Sequence, residues 1–195
     1  MYNENLSRLS APAVAFGGLL WLLPWVTNLN QSIQFILTIP ALILTGLGLV
    51  GLSARSQSGA EDGRSLALTA GLLGLLLIMA SAVGGLVTGV ESNSAVPVII
   101  RAFLGIGMLL FVLGLTGLSI AVSQRKALGD WSFTAPVAAL TMLAYVVSIV
   151  FGTAGVVSAS LVDMVGMAAI VSWLLLGFGL WTSQATADGE PNLMG

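Results

Sequence analysis

Residues 9–54 read LSAPAVAFGGLLWLLPWVTNLNQSIQFILTIPALILTGLGLVGLSA, a run without a single Asp, Glu, Lys or Arg. A helix needs about 20 apolar residues to cross the roughly 30 Å hydrocarbon layer of a bilayer, so this run is long enough for two crossings. The polar hexapeptide TNLNQS at 27–32 supplies a turn between them, which places spans at 9–26 and 33–54. The apolar residues run on without alternating, which excludes barrel strands, and a helix satisfies its own backbone in lipid.

Working outward with the same criterion gives four more uncharged or nearly uncharged spans, at 65–90, 97–122, 133–157 and 161–183. The expected fold is therefore all-α: a polytopic membrane protein, one transmembrane domain built as a bundle of six helices, with 184–195 as a polar C-terminal tail. Composition agrees. The 195 residues include only six Lys plus Arg and eight Asp plus Glu, 57% are hydrophobic, and mean hydropathy is +1.03; a soluble domain carries about a quarter charged residues. The opening MYNENLSR holds Glu4 as well as Arg8, and no small-residue cleavage site follows near Thr27, so the first span reads as retained rather than as a cleaved signal.

Cation placement gives an orientation. Arg8 precedes span one, Arg55 and Arg64 lie between spans two and three, and Arg125 and Lys126 between spans four and five, leaving Arg101 as the exception. The positive-inside rule puts both termini in the cytoplasm. Trp131 and Trp181 then fall at the cytoplasmic ends of spans and Trp25 at the outer end of span one, positions where indole rings anchor at the interface.

An internal repeat closes the even spans. LGLVGLS at 47–53 recurs as LGLTGLS at 113–119, and FGLWTSQ at 178–184 is a degraded third copy, so that Gly48, Gly114 and Gly179 align. Three repeated helical hairpins are the economical reading. The 24 glycines mark close helix approach: in span three Ser81, Gly85 and Gly89, and beside them Ala80, Gly84 and Thr88, form small-xxx-small strips, and in span four Gly107, Gly114, Gly117 and Ala121 form a groove. Pro40 is expected to kink span two, while Pro12, Pro97 and Pro136 mark helix starts.

The chain has no Cys and no His. That removes disulfides, thiolate nucleophiles, histidine-ligated haem and zinc sites of the HExxH type, and every Ser/His arrangement. No catalytic residue, metal site or cofactor is expected. Cations are too few and too scattered for nucleic acid to be a partner.

Two polar groupings remain as candidate sites. On the outer side lie Arg101, Asp163 and Glu91. Arg101, in VESNSAVPVIIRAF at 90–103, either snorkels to lipid headgroups or pairs with Asp163 or Glu91, while SLVD at 160–163 suggests a capping box with Ser160 as N-cap. In span five Thr134, Thr141, Tyr145, Ser148 and Gly152 share one helical face; Thr141, Tyr145 and Ser148 either line a polar pathway or serve helix contact.

With short loops and no acidic residue on that face, the expected function is a non-catalytic membrane protein, an accessory or scaffold subunit of a larger assembly, with lipid and other membrane subunits as partners. A small-solute or ion transporter or channel is the alternative. The pairing of FGGLLWLLPWV at 16–26 with GLVGLSARSQ at 48–57 resembles small six-span bacterial membrane proteins of unassigned role. That resemblance implies an all-α bundle in a bacterial cytoplasmic membrane and assigns no functional residue.

Overall fold

The structure is a computed structural model that describes residues 2–27, 31–55, 61–88 and 98–189. The described residues form six long helices, α1 (Tyr2–Thr27), α2 (Gln31–Arg55), α3 (Glu61–Thr88), α4 (Val98–Gln124), α5 (Thr134–Thr153) and α6 (Ala159–Gly189), with one 3-10 turn at Gly129–Trp131 and no strand. Five stretches are long and apolar enough to cross a membrane: Ile36–Arg55 in α2, Gly63–Val87 in α3, Val98–Gln124 in α4, Gly129–Thr153 through the 3-10 turn and α5, and Ala159–Ser183 in α6. In α1 the apolar stretch is shorter, Leu9–Pro24.

Each helix packs on its neighbours in the chain and α6 closes onto α1, so the six form a ring. Neighbours run antiparallel. Gly48 faces Val14 and Gly51 faces Ser10 across α2 and α1; Gly71 faces Gly114, and Gly74 faces Gly107 and Phe111, across α3 and α4; Gly18 faces Leu174 and Gly177 faces Ala15 across α1 and α6. Arg8, Arg55, Arg64, Arg125 and Lys126 therefore gather at one end of the ring and Arg101 stands at the other.

The tightest pairing is α3 on α4. A Cβ added to Gly74 would strike the Phe111 backbone nitrogen and stand 2.6 Å from the Gly107 carbonyl oxygen; one added to Gly114 would stand 2.5 Å from the Ala67 carbonyl oxygen. Backbones in this seam touch with no side chain between them. In lipid, where burial gives helices no hydrophobic reason to associate, such close van der Waals contact is a main source of attraction.

Several expectations shift. Pro12 does not start a helix: α1 begins at Tyr2 and contains both Pro12 and Pro24. Hydropathy marks only the lipid-crossing part, and residues 2–8 contain no breaker to stop the helix. Likewise α6 continues to Gly189, beyond the expected end at 183, into the stretch read as a tail. The cap of α6 is Ser158, not Ser160, because the Ser158 hydroxyl accepts the Leu161 N–H at 3.4 Å. In α3 Ser81 and Gly85 are buried and Ala80 is exposed, while Gly84 of the second strip meets Ile100 of α4. Gly89, Glu91 and Pro97 lie outside the described residues.

Candidate functional site

At the centre of the ring is a cavity of about 110 Å³ to which all six helices contribute, among them Trp21 of α1, Thr45 of α2, Ile78 of α3, Phe111 of α4, Tyr145 of α5 and Trp173 of α6. The walls are almost wholly apolar. The Thr45 hydroxyl donates within its own helix, to the Ala41 carbonyl at 2.8 Å. Trp173 and Phe111 approach across the middle, ring centroids 6.2 Å apart and planes inclined by 54°. The indole N–H of Trp173 is buried and has no hydrogen-bond partner.

The polar face of α5 meets α6. Thr141 and Ser172 share a hydrogen bond of 2.5 Å, and Thr141 is also within reach of its own carbonyls at Val137 (2.9 Å) and Ala138 (3.1 Å). The Ser148 hydroxyl donates to the Tyr145 carbonyl at 2.8 Å. A Cβ on Gly152 would lie 2.9 Å from Val162. Of the three residues singled out on this face, Tyr145 alone borders the cavity.

Arg101 and Asp163 are both exposed, and no ion pair joins them among the described residues. The ring order explains the separation, since α5 stands between α4 and α6. Glu91 lies outside the described residues. Asp163 borders a depression with Gly152, Thr153 and Val162.

Two groups escape sequence reading. Arg55, at the end of α2, donates from Nη1 to the Leu180 carbonyl at 3.1 Å and to the Ser183 hydroxyl at 2.5 Å, tying α2 to α6 at the cation-rich end. Trp173 is one more tryptophan in a hydrophobic run until the fold places it in the cavity wall. Nothing local marks either residue, because both depend on helices far apart in the chain becoming neighbours.

Each of the three aligned glycines has a close neighbour in the segment that precedes its own helix: Gly48 faces Val14 of α1, Gly114 faces Ala67 and Gly71 of α3, and Gly179 faces Trp131 of the 3-10 turn and Thr134 at the start of α5. The residue before each (Leu47, Leu113, Phe178) is exposed, and the residue after each (Leu49, Leu115, Leu180) is fully buried. Comparison of the chain with known protein families, curated proteins and solved structures returned no match.

Proposed function

We propose that this is a non-catalytic, multi-pass membrane subunit that presents one half of α4 to a transmembrane helix of a partner protein. The observation that carries this reading is the exposure of α4 around its whole circumference from residue 98 to 106, where only Ile100 is even half-buried, against Gly84. Ala102, Gly105, Ile106 and Leu109 continue as one exposed stripe at helical spacing. Gly107, Gly114 and Gly117 each meet α3, but Gly105 has nothing within 4 Å. A helical glycine costs about 1 kcal/mol against alanine. Elsewhere on α4 that cost is offset by close packing; at Gly105 a partner helix supplies the missing contact.

The finer topology belongs to the same proposal: α1 as a sixth span, three repeated hairpins, and both termini in the cytoplasm of a bacterial cell. Support for the repeat comes from the close neighbour that each of Gly48, Gly114 and Gly179 has in the segment preceding its own helix, and for the orientation from the five cations at one end. A small-solute or ion transporter or channel draws less support, because the Thr141 and Ser148 hydroxyls are engaged with carbonyls or with Ser172.

A photoreactive residue placed at Ile106 in native membranes should give a discrete protein adduct that is absent when the same residue replaces exposed Leu76 of α3. Gly105→Leu should abolish that adduct while leaving thermal stability in detergent unchanged. Lipid adducts alone at both positions would remove the subunit reading. For orientation, single cysteines at Gly59, Asn93 and Gly129 should label from the cytoplasm, the outside and the cytoplasm respectively; cytoplasmic labelling of Asn93 would invert it.

A further inference from the structure

The depression beside Asp163 stands directly over the central cavity. In α5, Ile149 on its rim follows the cavity residues Tyr145 by four positions and Met142 by seven; in α6, Asp163 precedes Gly166 by three and Ile170 by seven. Such spacings return to the same helical face. Both hollows therefore open on the ring-facing sides of α5 and α6, with the depression at the outer end. The Tyr145 phenol, part of the cavity wall, is near enough to Asp163 to feel its charge.

Arg101 overlooks the same cavity from α4. It precedes Met108 of the cavity wall by seven residues, about 20° short of two full turns, so it lies on the cavity side of its helix and about 10 Å farther out. Its level matches that of Asp163. Phe111 and Trp173 meet in the middle of the ring, α4 and α6 run in the same direction, and each charged residue stands ten positions before its aromatic, about 15 Å outward. Among the described residues neither has an ion-pair partner. One mouth thus carries a cation on one wall and an anion on another, above a hollow that is almost wholly apolar.

The charges select a head and the cavity selects a tail. A guanidinium fork suits the oxygens of a phosphate, and a carboxylate suits an ammonium. The depression, about 260 Å³, has room for such a head. Below it, an apolar cavity of roughly 150 Å³ stays dry and admits a hydrocarbon guest; at about 110 Å³ this one takes the end of a chain. Met108 and Met142 on its walls are unbranched and yield to such a chain.

We infer a ligand site: the outer mouth and the central cavity together hold one single-chain amphiphile with a zwitterionic head, its phosphate on Arg101, its ammonium on Asp163 and its chain in the cavity. This goes beyond the partner-docking reading and does not depend on it, since Ile106 lies on the side of α4 opposite Met108.

The test uses the full chain in dodecyl maltoside micelles and three lipids with the same lauroyl chain: zwitterionic lysophosphatidylethanolamine, anionic lysophosphatidylglycerol and uncharged monolauroylglycerol. Native mass spectrometry counts the bound copies. One copy of the zwitterion should bind saturably, about three- to fivefold more tightly than the anionic lipid, which should exceed the uncharged one by a similar factor, the return from an ion pair that solvent reaches. Arg101→Gln should weaken both phospholipids by that factor, and Asp163→Asn only the zwitterion. Ala169→Met, growing from the cavity wall, should weaken all three by tenfold or more, because each methylene displaced from an apolar site is worth about fourfold. Equal affinities, binding of many copies without saturation, or a preference for the anionic lipid that Asp163→Asn leaves unchanged would each overturn the site. Should Ala169→Met fail to fold, the two variants at exposed Arg101 and Asp163 decide the matter alone.

Discussion

The α3–α4 and α5–α6 hairpins are both antiparallel helix pairs, held together by opposite means. Between α3 and α4 the backbones meet directly, Gly71 and Gly74 against Gly107, Phe111 and Gly114. Between α5 and α6 side chains do the joining: the Thr141–Ser172 hydrogen bond and, at the cation-rich end, Trp131 of the 3-10 turn leading into α5, edge-on to Phe178 with centroids 5.1 Å apart. The difference shows two answers to one problem. Helices in lipid gain nothing by hiding apolar surface from one another, so a pair must either approach closely enough for dispersion or exchange a hydrogen bond. The first answer tolerates no added atom, and the second survives small changes.

That contrast sets the order of expected effects. Gly114→Leu should be the most damaging, because the new side chain would grow into the α3 backbone, where neither wall can move; overpacking already costs about 1–3 kcal/mol in cores whose walls can move. Folded yield in detergent should collapse, while Ala80→Leu on the exposed side of α3 should purify and melt like wild type. Equal behaviour of the two variants would mean the seam is not where α3 and α4 meet.

Thr141→Val should cost less, about 0.6 kcal/mol, the mean for a hydrogen bond between membrane helices, measured as a shift in the unfolding midpoint in mixed micelles. A loss as large as that of Gly114→Leu would erase the distinction between the hairpins. Smallest of all is the coupling between Arg101 and Asp163, which belong to different hairpins. A double-mutant cycle with Arg101→Ala and Asp163→Ala should be additive within about 0.3–0.5 kcal/mol. Coupling beyond that would show a pair across the outer face.

The sequence reveals the helices well because charge is so costly in lipid that its absence outlines them. It places their ends poorly, as Pro12 and Ser158 show, since a helix runs on through polar residues until a cap stops it. Glycine spacing announces close packing in α3 without saying that Ser81 and Gly85 are buried, that Gly84 meets Ile100 and that Ala80 stays exposed. Those placements depend on where α4 lies. The polar face of α5 is visible at helical spacing, but Ser172, its partner, is not. Trp173 and Arg55 lie further still from local reading, for their surroundings come from helices more than a hairpin away.

The ring order also has a consequence in time. Helices leave a translocation channel in chain order, and from α2 to α5 each finds its packing neighbour already present. The exception is α1, whose Ala15 and Gly18 stand against Gly177 and Leu174 of α6. That flank of α1 stays uncovered until the last helix is made, and Trp173 reaches the centre only then. Closure is therefore the final event of assembly, and a ribosome halted after α5 would leave behind an open arc with no cavity.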